Sequence, residues 1–147
     1  MKRIQRILYA TDFSEASRKA FDTALAMAKA LNASLTIASV LVPIIRIPDE
    51  YADPETFDQL DRQAGRWNMG RLNRLAARAK KAGVKAAVAL REGDPVDQIV
   101  RACRASRSDL IVVGTHGRRG LSKFFLGSVA QRVVSMAPCP VVTVRGK

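Results

Sequence analysis

Short apolar runs and amphipathic stretches alternate along the chain. The apolar runs are rich in Val, Ile, Leu and Ala, as is typical of strands buried in a parallel sheet, and they cover residues 4–10, 35–41, 84–90, 110–113 and 141–144. Apolar residues at helical spacing predict helices over residues 14–31, 55–82 and 128–137, and one more that opens at Asp94-Pro95. Strands and helices are therefore expected to alternate.

Each predicted helix carries an apolar stripe, the face that is expected to pack on the sheet. The first helix has Ala20, Phe21, Ala24, Leu25, Ala28 and Leu31. The second has Leu60, Ala64, Trp67, Leu72, Leu75 and Ala79. The third has Val96, Ile99, Val100 and Cys103. The fourth has Val129, Val133, Val134 and Met136.

Five strands and four helices in alternation predict an α/β fold: a single open five-stranded parallel sheet with helices on both faces, similar to Rossmann-like nucleotide-binding folds. A chain of 147 residues with 48% hydrophobic content suits one domain over residues 1–147. Ligands of such sheets lie beyond the carboxyl ends of the strands, where the strand order reverses. If that order is 3-2-1-4-5, Asp12 after the first strand and Gly114 after the fourth are neighbours.

The chain carries no apolar run close to the roughly 18 residues that a membrane-spanning helix needs. Its start, Met-Lys-Arg-Ile-Gln-Arg, lacks the apolar segment of a secretory signal, so a cytoplasmic location is expected. Cys103 and Cys139 fit neither a disulfide framework nor a metal site, because His116 is the single histidine and there is no Cys-x-x-Cys. Both are expected to be reduced, with Cys103 in the core.

The net charge of +12 is the unusual feature of the composition. Residues 47–61 hold six acids and no base, whereas residues 62–91 hold nine bases and no acid. Acids at the start of the second helix and bases near its end match the helix dipole, which explains much of this asymmetry. A face that contacts nucleic acid or anionic lipid is the alternative.

A glycine-rich loop follows the fourth strand. Two residues separate Gly114 from Gly117, and nine separate Gly117 from Gly127, which is followed by Ser128 and the fourth helix. Glycines let backbone N–H groups approach an oxyanion, and a helix N-terminus offers unpaired donors and partial positive charge. The segment therefore predicts a phosphate site, with Ser128 as the N-cap.

The helix dipole alone contributes only about 0.3 to 1 kcal/mol per favourable charge, so a phosphate site needs further donors and cations. Arg118, Arg119 and Lys123 lie inside the loop and could supply them. The alternative is a glycine-rich surface turn before a serine-capped helix.

The pattern Gly-x2-Gly-x9-Gly-Ser resembles the nucleotide-binding signature of the universal stress protein family. Three other segments resemble that family too: Thr-Asp-Phe-Ser at residues 11–14, Asp-Leu-Ile-Val-Val-Gly-Thr-His-Gly from residue 109, and Ala-Pro-Cys-Pro-Val-Val from residue 137. The likeness spans most of the chain. A four-position motif in register with such long flanking segments is a specific signal.

The resemblance implies the strand order 3-2-1-4-5 and ATP as the ligand. It implies that Asp12 lines the nucleotide pocket and that the backbone of Val40 meets the adenine edge. It also implies ribose and phosphate contacts from Gly114, Gly117, Gly127, Ser128 and the Val129 amide. Judged without the resemblance, Asp12 is more often a turn former or a helix cap, although its carboxylate could also hold Mg²⁺ or another divalent cation on the phosphates.

The candidate nucleotide-binding residues are therefore Asp12, Val40, Gly114, Thr115, His116, Gly117, Arg118, Gly127, Ser128 and Val129. No residue is assigned a catalytic role. His116 has no partner carboxylate at a recognisable spacing, and the Gly-x4-Gly-Lys-Ser/Thr phosphate loop is absent. Weak ATP hydrolysis at most is expected, and an ATP hydrolase or phosphotransferase is the enzyme alternative.

The last predicted strand, residues 141–144, is apolar and lies at an edge of the predicted sheet. Bare strand edges invite pairing with another chain, and proteins cover them. The family pairs this edge across a two-fold axis, so the resemblance implies a homodimer through the strand at residues 141–145. The sequence identifies no other protein partner.

Overall fold

The computed structural model describes residues 2–43, 53–115 and 126–146. Its elements are, in chain order, β1 (Arg6–Ala10), α1 (Glu15–Leu31), β2 (Ser34–Leu41), α2 (Pro54–Lys81), β3 (Ala86–Glu92), α3 (Pro95–Ala105), β4 (Leu110–Gly114), α4 (Ser128–Met136) and β5 (Val141–Val144). The strands pair in parallel in the order β3-β2-β1-β4-β5. The predicted fold and strand order are confirmed.

The sheet is covered by helices on both faces. Successive residues of a strand point to opposite faces, and Ile7 and Tyr9 of β1 pack in one core cluster with residues of α1 and α2. Leu8 points the other way, into a second cluster formed with α3 and α4. All three side chains are almost completely buried. This two-sided burial explains why β1 from Ile7 and β4 are continuously apolar instead of alternating.

Side chains that accept hydrogen bonds from backbone N–H groups mark the starts of the first three helices. Ser14 accepts from Ser17 at α1, Asp53 from Glu55 at α2 and Asp94 from Asp97 at α3. Caps of this kind satisfy donors that have no partner within the helix. The predicted start of the third helix at Asp94-Pro95 is confirmed.

Packing on the sheet is restricted to the second half of α2. Leu72 and Ala79 are buried as predicted, but Leu60 is 47% exposed and Trp67 is 67% exposed. The prediction that the first half of this stripe is core is wrong. A helix of 28 residues is about 42 Å long, whereas the eight residues of β2 span only about 26 Å. The helix therefore extends beyond the sheet.

One further boundary and one further apolar stripe differ from the predicted ones. Strand β3 begins at Ala86 instead of residue 84, because the N–H groups of Gly83 and Val84 bond the last carbonyls of α2. Gly83 adopts the left-handed conformation, with φ of 84°, that such helix ends favour. In α4, Val133 is buried, but the rest of the predicted stripe, Val129, Val134 and Met136, is exposed.

Asp109 connects the starts of β1 and β4. Its Oδ2 atom accepts hydrogen bonds from the backbone N–H groups of Gln5 and Arg6, each at 3.0 Å. Lys2 Nζ lies 3.6 Å from Oδ1, and the Asp109 side chain is only 7% exposed. These donors, with Gln5 first, lower the pKa of the carboxyl below its ordinary value.

Replacing Asp109 by Ala is expected to lower the free energy of unfolding by about 2 kcal/mol, because hydrogen bonds to charged groups contribute about 1.5 to 3 kcal/mol. Urea denaturation measures this loss. The matched control is Asp97→Ala, which removes an exposed pair with Arg101 and should cost less than about 0.5 kcal/mol. Equal losses in both variants would contradict the role of Asp109.

The effect of Asp109→Ala should also depend on pH. A lowered folded-state pKa means that the ionised carboxyl stabilises the fold fully above the pKa of the unfolded chain, about 4. This contribution is lost as the pH falls through the lower, folded-state pKa. The difference in unfolding free energy between wild type and variant should therefore be constant near pH 7 and shrink below about pH 4.

Candidate functional site

A cleft of about 1840 Å³ lies at the carboxyl edge of the sheet. Its walls are the β1–α1 turn, the ends of β2 and β4, residues 60–71 of α2 and the starts of α3 and α4. The cleft spans the point where the strand order reverses, between β1 and β4, which is where ligands of such sheets bind. Sites for small ligands usually measure about 300 to 1,000 Å³, so this cleft can admit a nucleotide.

The β1–α1 turn is held by a buried hydrogen-bond network. Thr11 Oγ1 accepts from the Ser17 hydroxyl at 2.7 Å and from the Phe13 N–H group at 2.9 Å. The Tyr9 hydroxyl donates to the Ser17 carbonyl at 2.6 Å, and burial raises the pKa of Tyr9. The network lies under Asp12 in the turn and fixes the backbone there.

Asp12 and Phe13 are half-buried in this turn. Asp12 Oδ1 accepts from the Ser14 N–H group at 2.9 Å, so this carboxylate does act as a turn former while it lines the cleft. Phe13 has φ of 60°, a conformation that residues other than glycine rarely adopt. The guanidinium of Arg71 lies 4.3 Å from the Phe13 ring centroid, which adds a cation–π contact and connects α2 to the turn.

Gly114 lets β4 end directly against α1. A Cβ atom at this position would lie 3.2 Å from the backbone of Ala16 and Ser17. Because these contacts are with main-chain atoms, a side chain could not be accommodated by a rotamer change. The glycine thus brings the end of β4 next to the turn that carries Asp12.

The N-terminus of α4 forms another side of the cleft. The Gly127 carbonyl accepts from the Gln131 N–H group at 3.0 Å, so Gly127 is the N-cap and Ser128 is the first helical residue. The prediction that Ser128 caps the helix is wrong. Glycine has no side chain to accept from the first N–H groups of the helix, which therefore suit an anion. Ser128 and Val129 both line the cleft.

An aspartate turn, a strand that ends in glycine and a glycine-capped helix thus surround one cleft. A known protein family matches almost the whole chain. The model of the Universal stress protein family matches residues 3–145. The chain belongs to the universal stress protein family. Universal stress protein MJ0531 of Methanocaldococcus jannaschii is 33% identical over 143 residues, which cover 96% of this chain and 82% of that protein.

Solved structures of other family members are similar over nearly their full length. A universal stress protein in complex with cAMP has a TM-score of 0.73 and 27% identity, covering 99% of this chain and 100% of its own. A universal stress protein family protein from Arabidopsis thaliana with AMP bound has a TM-score of 0.65 and 25% identity, covering 96% and 90%. Both likenesses extend across the strands and helices that build the cleft.

Six of the candidate residues line the cleft together: Asp12, Val40, Gly114, Gly127, Ser128 and Val129. Thr115 lies behind it, 5% exposed, with its N–H group bonded to the Val144 carbonyl at 2.9 Å and its own carbonyl bonded to the Gly127 N–H group. His116, Gly117 and Arg118 lie outside the described residues, as do Arg119 and Lys123.

Sequence reasoning missed the wall that α2 contributes to the cleft. This wall is formed by Leu60, Gln63, Ala64, Arg66, Trp67, Asn68 and Arg71. The available signal was the length of the helix, which exceeds what the predicted strands can cover. Two arginines in this wall, Arg66 and Arg71, give the cleft positive charge.

In the parts of the chain that the structure describes, no cluster of three or more His, Cys, Asp or Glu side chains could hold a metal ion. Nor does any described helix combine the length and apolar character needed to cross a membrane.

Proposed function

We propose that the chain binds ATP in this cleft and acts as a stress-response or signalling module whose state depends on nucleotide occupancy. The observation that carries the proposal is the placement of three signature positions beside Asp12. Gly114, Gly127 and Ser128 come together in one cleft with Asp12, which is 102 residues before Gly114 in the sequence. Two solved relatives, described as bound to cAMP and to AMP, support an adenine nucleotide as the ligand class.

In this proposal the phosphates lie at the start of α4, against the N–H groups of Ser128 and Val129. The adenine edge meets the backbone of Val40, and Asp12 contacts the ribose or the base. A divalent cation such as Mg²⁺ would be held mainly by phosphate oxygens, with the Asp12 carboxylate as the ligand that the chain offers. Arg66 and Arg71 complement the negative charge from the α2 wall.

Nucleotide binding, and not efficient hydrolysis, is the activity that we assign to the cleft. A dedicated ATPase needs a group that orients or activates the attacking water, and the lining residues offer Asp12, whose Oδ1 already accepts a backbone hydrogen bond. Phosphate release at a steady rate over many turnovers, lost in Asp12→Ala, would instead favour the ATP hydrolase. A cytoplasmic location stays a prediction from the sequence.

The ligand class is tested by denaturing the freshly purified protein and identifying the small molecules that it releases. We expect an adenine nucleotide, ATP above all, in amounts that approach the protein concentration. If the preparation releases none, titration of the protein with ATP by calorimetry decides the question, and an absence of saturable binding at millimolar ATP would refute the proposal.

Trp67 offers a direct optical test, because it is the single tryptophan of the chain and it lines the cleft. Saturating ATP is expected to change its fluorescence and to reduce its quenching by iodide. Trp67→Phe should abolish the signal and keep the affinity, measured by calorimetry, within about twofold, because Phe retains an aromatic face. Unchanged quenching at an ATP concentration that calorimetry shows to be saturating would place ATP elsewhere.

We also propose a homodimer through the β5 edge. Strand β5 pairs with β4 and ends the sheet, and its four residues are half-buried in the isolated chain. Exposed Val134 and Met136 on neighbouring α4 add apolar surface beside this edge. Sedimentation equilibrium at micromolar concentration should give twice the mass of one chain, and a monomer would contradict the proposal.

A further inference from the structure

The structure brings the two cysteines of the chain together. Cys103 lies on the buried face of α3, and Cys139 lies in the Pro-Cys-Pro segment between α4 and β5. They are 36 residues apart in sequence, yet their Sγ atoms are 3.5 Å apart and share a hydrogen bond. Both cysteines are free thiols in this state. The sequence spacing had indicated two unrelated reduced cysteines.

The two sulfurs differ in burial, so they are expected to react in a fixed order. Cys103 is buried in the core cluster beneath α3 and α4, whereas Cys139 packs at its margin and is half-buried. An oxidant from solvent therefore reaches Cys139 first. The Cys103 thiol then lies close enough to attack a disulfide that Cys139 has formed.

The segment between the two cysteines contains the residues that form one side of the cleft. Residues 103–139 include β4, with Gly114 at its end, and α4, with Gly127 as its N-cap. A covalent link between Cys103 and Cys139 would close this segment into a loop. The link would also join α3 to the start of the edge strand β5.

We propose that Cys103 and Cys139 are a reversible oxidation site, which forms an intramolecular disulfide with a small-molecule disulfide of the glutathione class as the oxidant. A disulfide needs the sulfurs at about 2.05 Å, so they must approach by about 1.5 Å. Rotation of the Cys139 side chain and a small shift of residues 138–140 can supply this movement. The proposed reaction does not require a bound nucleotide.

The reaction proceeds in two balanced exchanges. The Cys139 sulfur loses its proton and attacks one sulfur of the small disulfide; the bond between the two small-molecule sulfurs breaks, and one thiol leaves with the electron pair and a proton. The Cys103 sulfur then loses its proton and attacks the Cys139 sulfur, which releases the second thiol. Two protein thiols are oxidised by two electrons, and one small disulfide is reduced to two thiols.

The thiol environment makes this site slow to react near neutral pH. Burial raises the pKa of Cys103 to about 12, and its hydrogen bond with Cys139 adds to this effect; Asp109 acts in the same direction and Arg104 opposes it. Burial also raises the pKa of Cys139, against the effect of its hydrogen bond with Cys103. Because the thiolate is the attacking species, the site should respond to sustained oxidising conditions.

The test is incubation of the folded chain with oxidised glutathione at pH 8, followed by intact-mass analysis after alkylation in denaturant. The expected product has lost two hydrogen atoms, carries no glutathione and does not react with the alkylating reagent. Its midpoint of thermal unfolding should be about 10 °C higher, because closing a long loop restricts the unfolded chain. Dithiothreitol should reverse both changes.

Single variants separate this site from general thiol chemistry. Cys103→Ala should stop at a stable glutathione adduct on Cys139, because the second thiol is missing. Cys139→Ala should stay unmodified while it is folded, because Cys103 is buried; it also serves as the test variant if Cys103→Ala fails to fold. A wild-type product that keeps a glutathione on Cys139, joins two chains or retains two alkylatable thiols would overturn the proposal.

Discussion

Gly127→Val is expected to lower the affinity for ATP by at least about 100-fold while the chain stays folded. A branched side chain at the N-cap of α4 adds bulk where the phosphates must approach the first N–H groups of the helix. Hydrogen bonds to charged groups contribute about 1.5 to 3 kcal/mol each, so the loss of two of them accounts for such a decrease. Isothermal titration calorimetry measures the change.

Folding should tolerate this substitution. Gly127 has φ of −58° and ψ of 154°, a conformation open to residues with side chains, and its N–H group can still bond the Thr115 carbonyl. Gly70→Val is the matched control, because Gly70 lies on α2 outside the cleft lining and a Cβ atom there meets nothing within 4 Å. ATP binding that Gly127→Val leaves intact would remove the start of α4 from the site.

Gly114→Val is expected to destabilise the fold itself, by about 3 kcal/mol or more. The Cβ atom would lie 3.2 Å from the backbone of Ala16 and Ser17, and the two further methyl groups of valine need more room. Overpacking typically costs about 1 to 3 kcal/mol, and more where the neighbours cannot move. Urea denaturation monitored by circular dichroism measures the loss.

Gly65→Ala is the control for this effect, since a Cβ atom at Gly65 makes ordinary contact with Leu41 at 4.0 Å. Inside a helix this change should raise the free energy of unfolding by about 0.5 to 1 kcal/mol. Gly114→Ala should fall between the two, with a smaller loss than valine causes. If Gly114→Val were as stable as wild type, β4 and α1 could not be as close as the structure places them.

The fold followed from the sequence because each strand and helix carries its own local signal. Continuous apolar runs such as Leu110–Val113 indicate strands covered on both faces, and the alternation with helices permits few topologies. The order of the strands was not available from spacing and came from the family resemblance. Element ends were less accurate where a backbone group decided them, as at Gly83 and Gly127.

The site was predictable where residues follow the ends of strands. Asp12 and Gly114 meet because β1 and β4 are adjacent in the sheet, and Val40 lies at the end of β2 next to β1. The α2 wall was not predictable in the same way. Trp67 lies at the helical spacing that core residues have. Periodicity identifies one face of a helix, but it does not show how far the sheet extends beneath that face.

The proximity of Cys103 and Cys139 could not be predicted from the sequence either. Their separation in the chain carries no pairing signal, because the contact depends on α3 and the segment before β5 packing on the same face of the sheet. The same holds for the buried network of Tyr9, Thr11 and Ser17, in which hydroxyl groups meet only after α1 has packed on β1.

A crystal structure of the protein with millimolar ATP tests the central claim most directly. We predict phosphate oxygens within hydrogen-bond distance of the N–H groups of Ser128 and Val129, with the adenine against Val40 and the ribose near Asp12. Well-ordered ATP at another surface, or a cleft filled by the chain's own side chains at saturating ATP, would contradict the account.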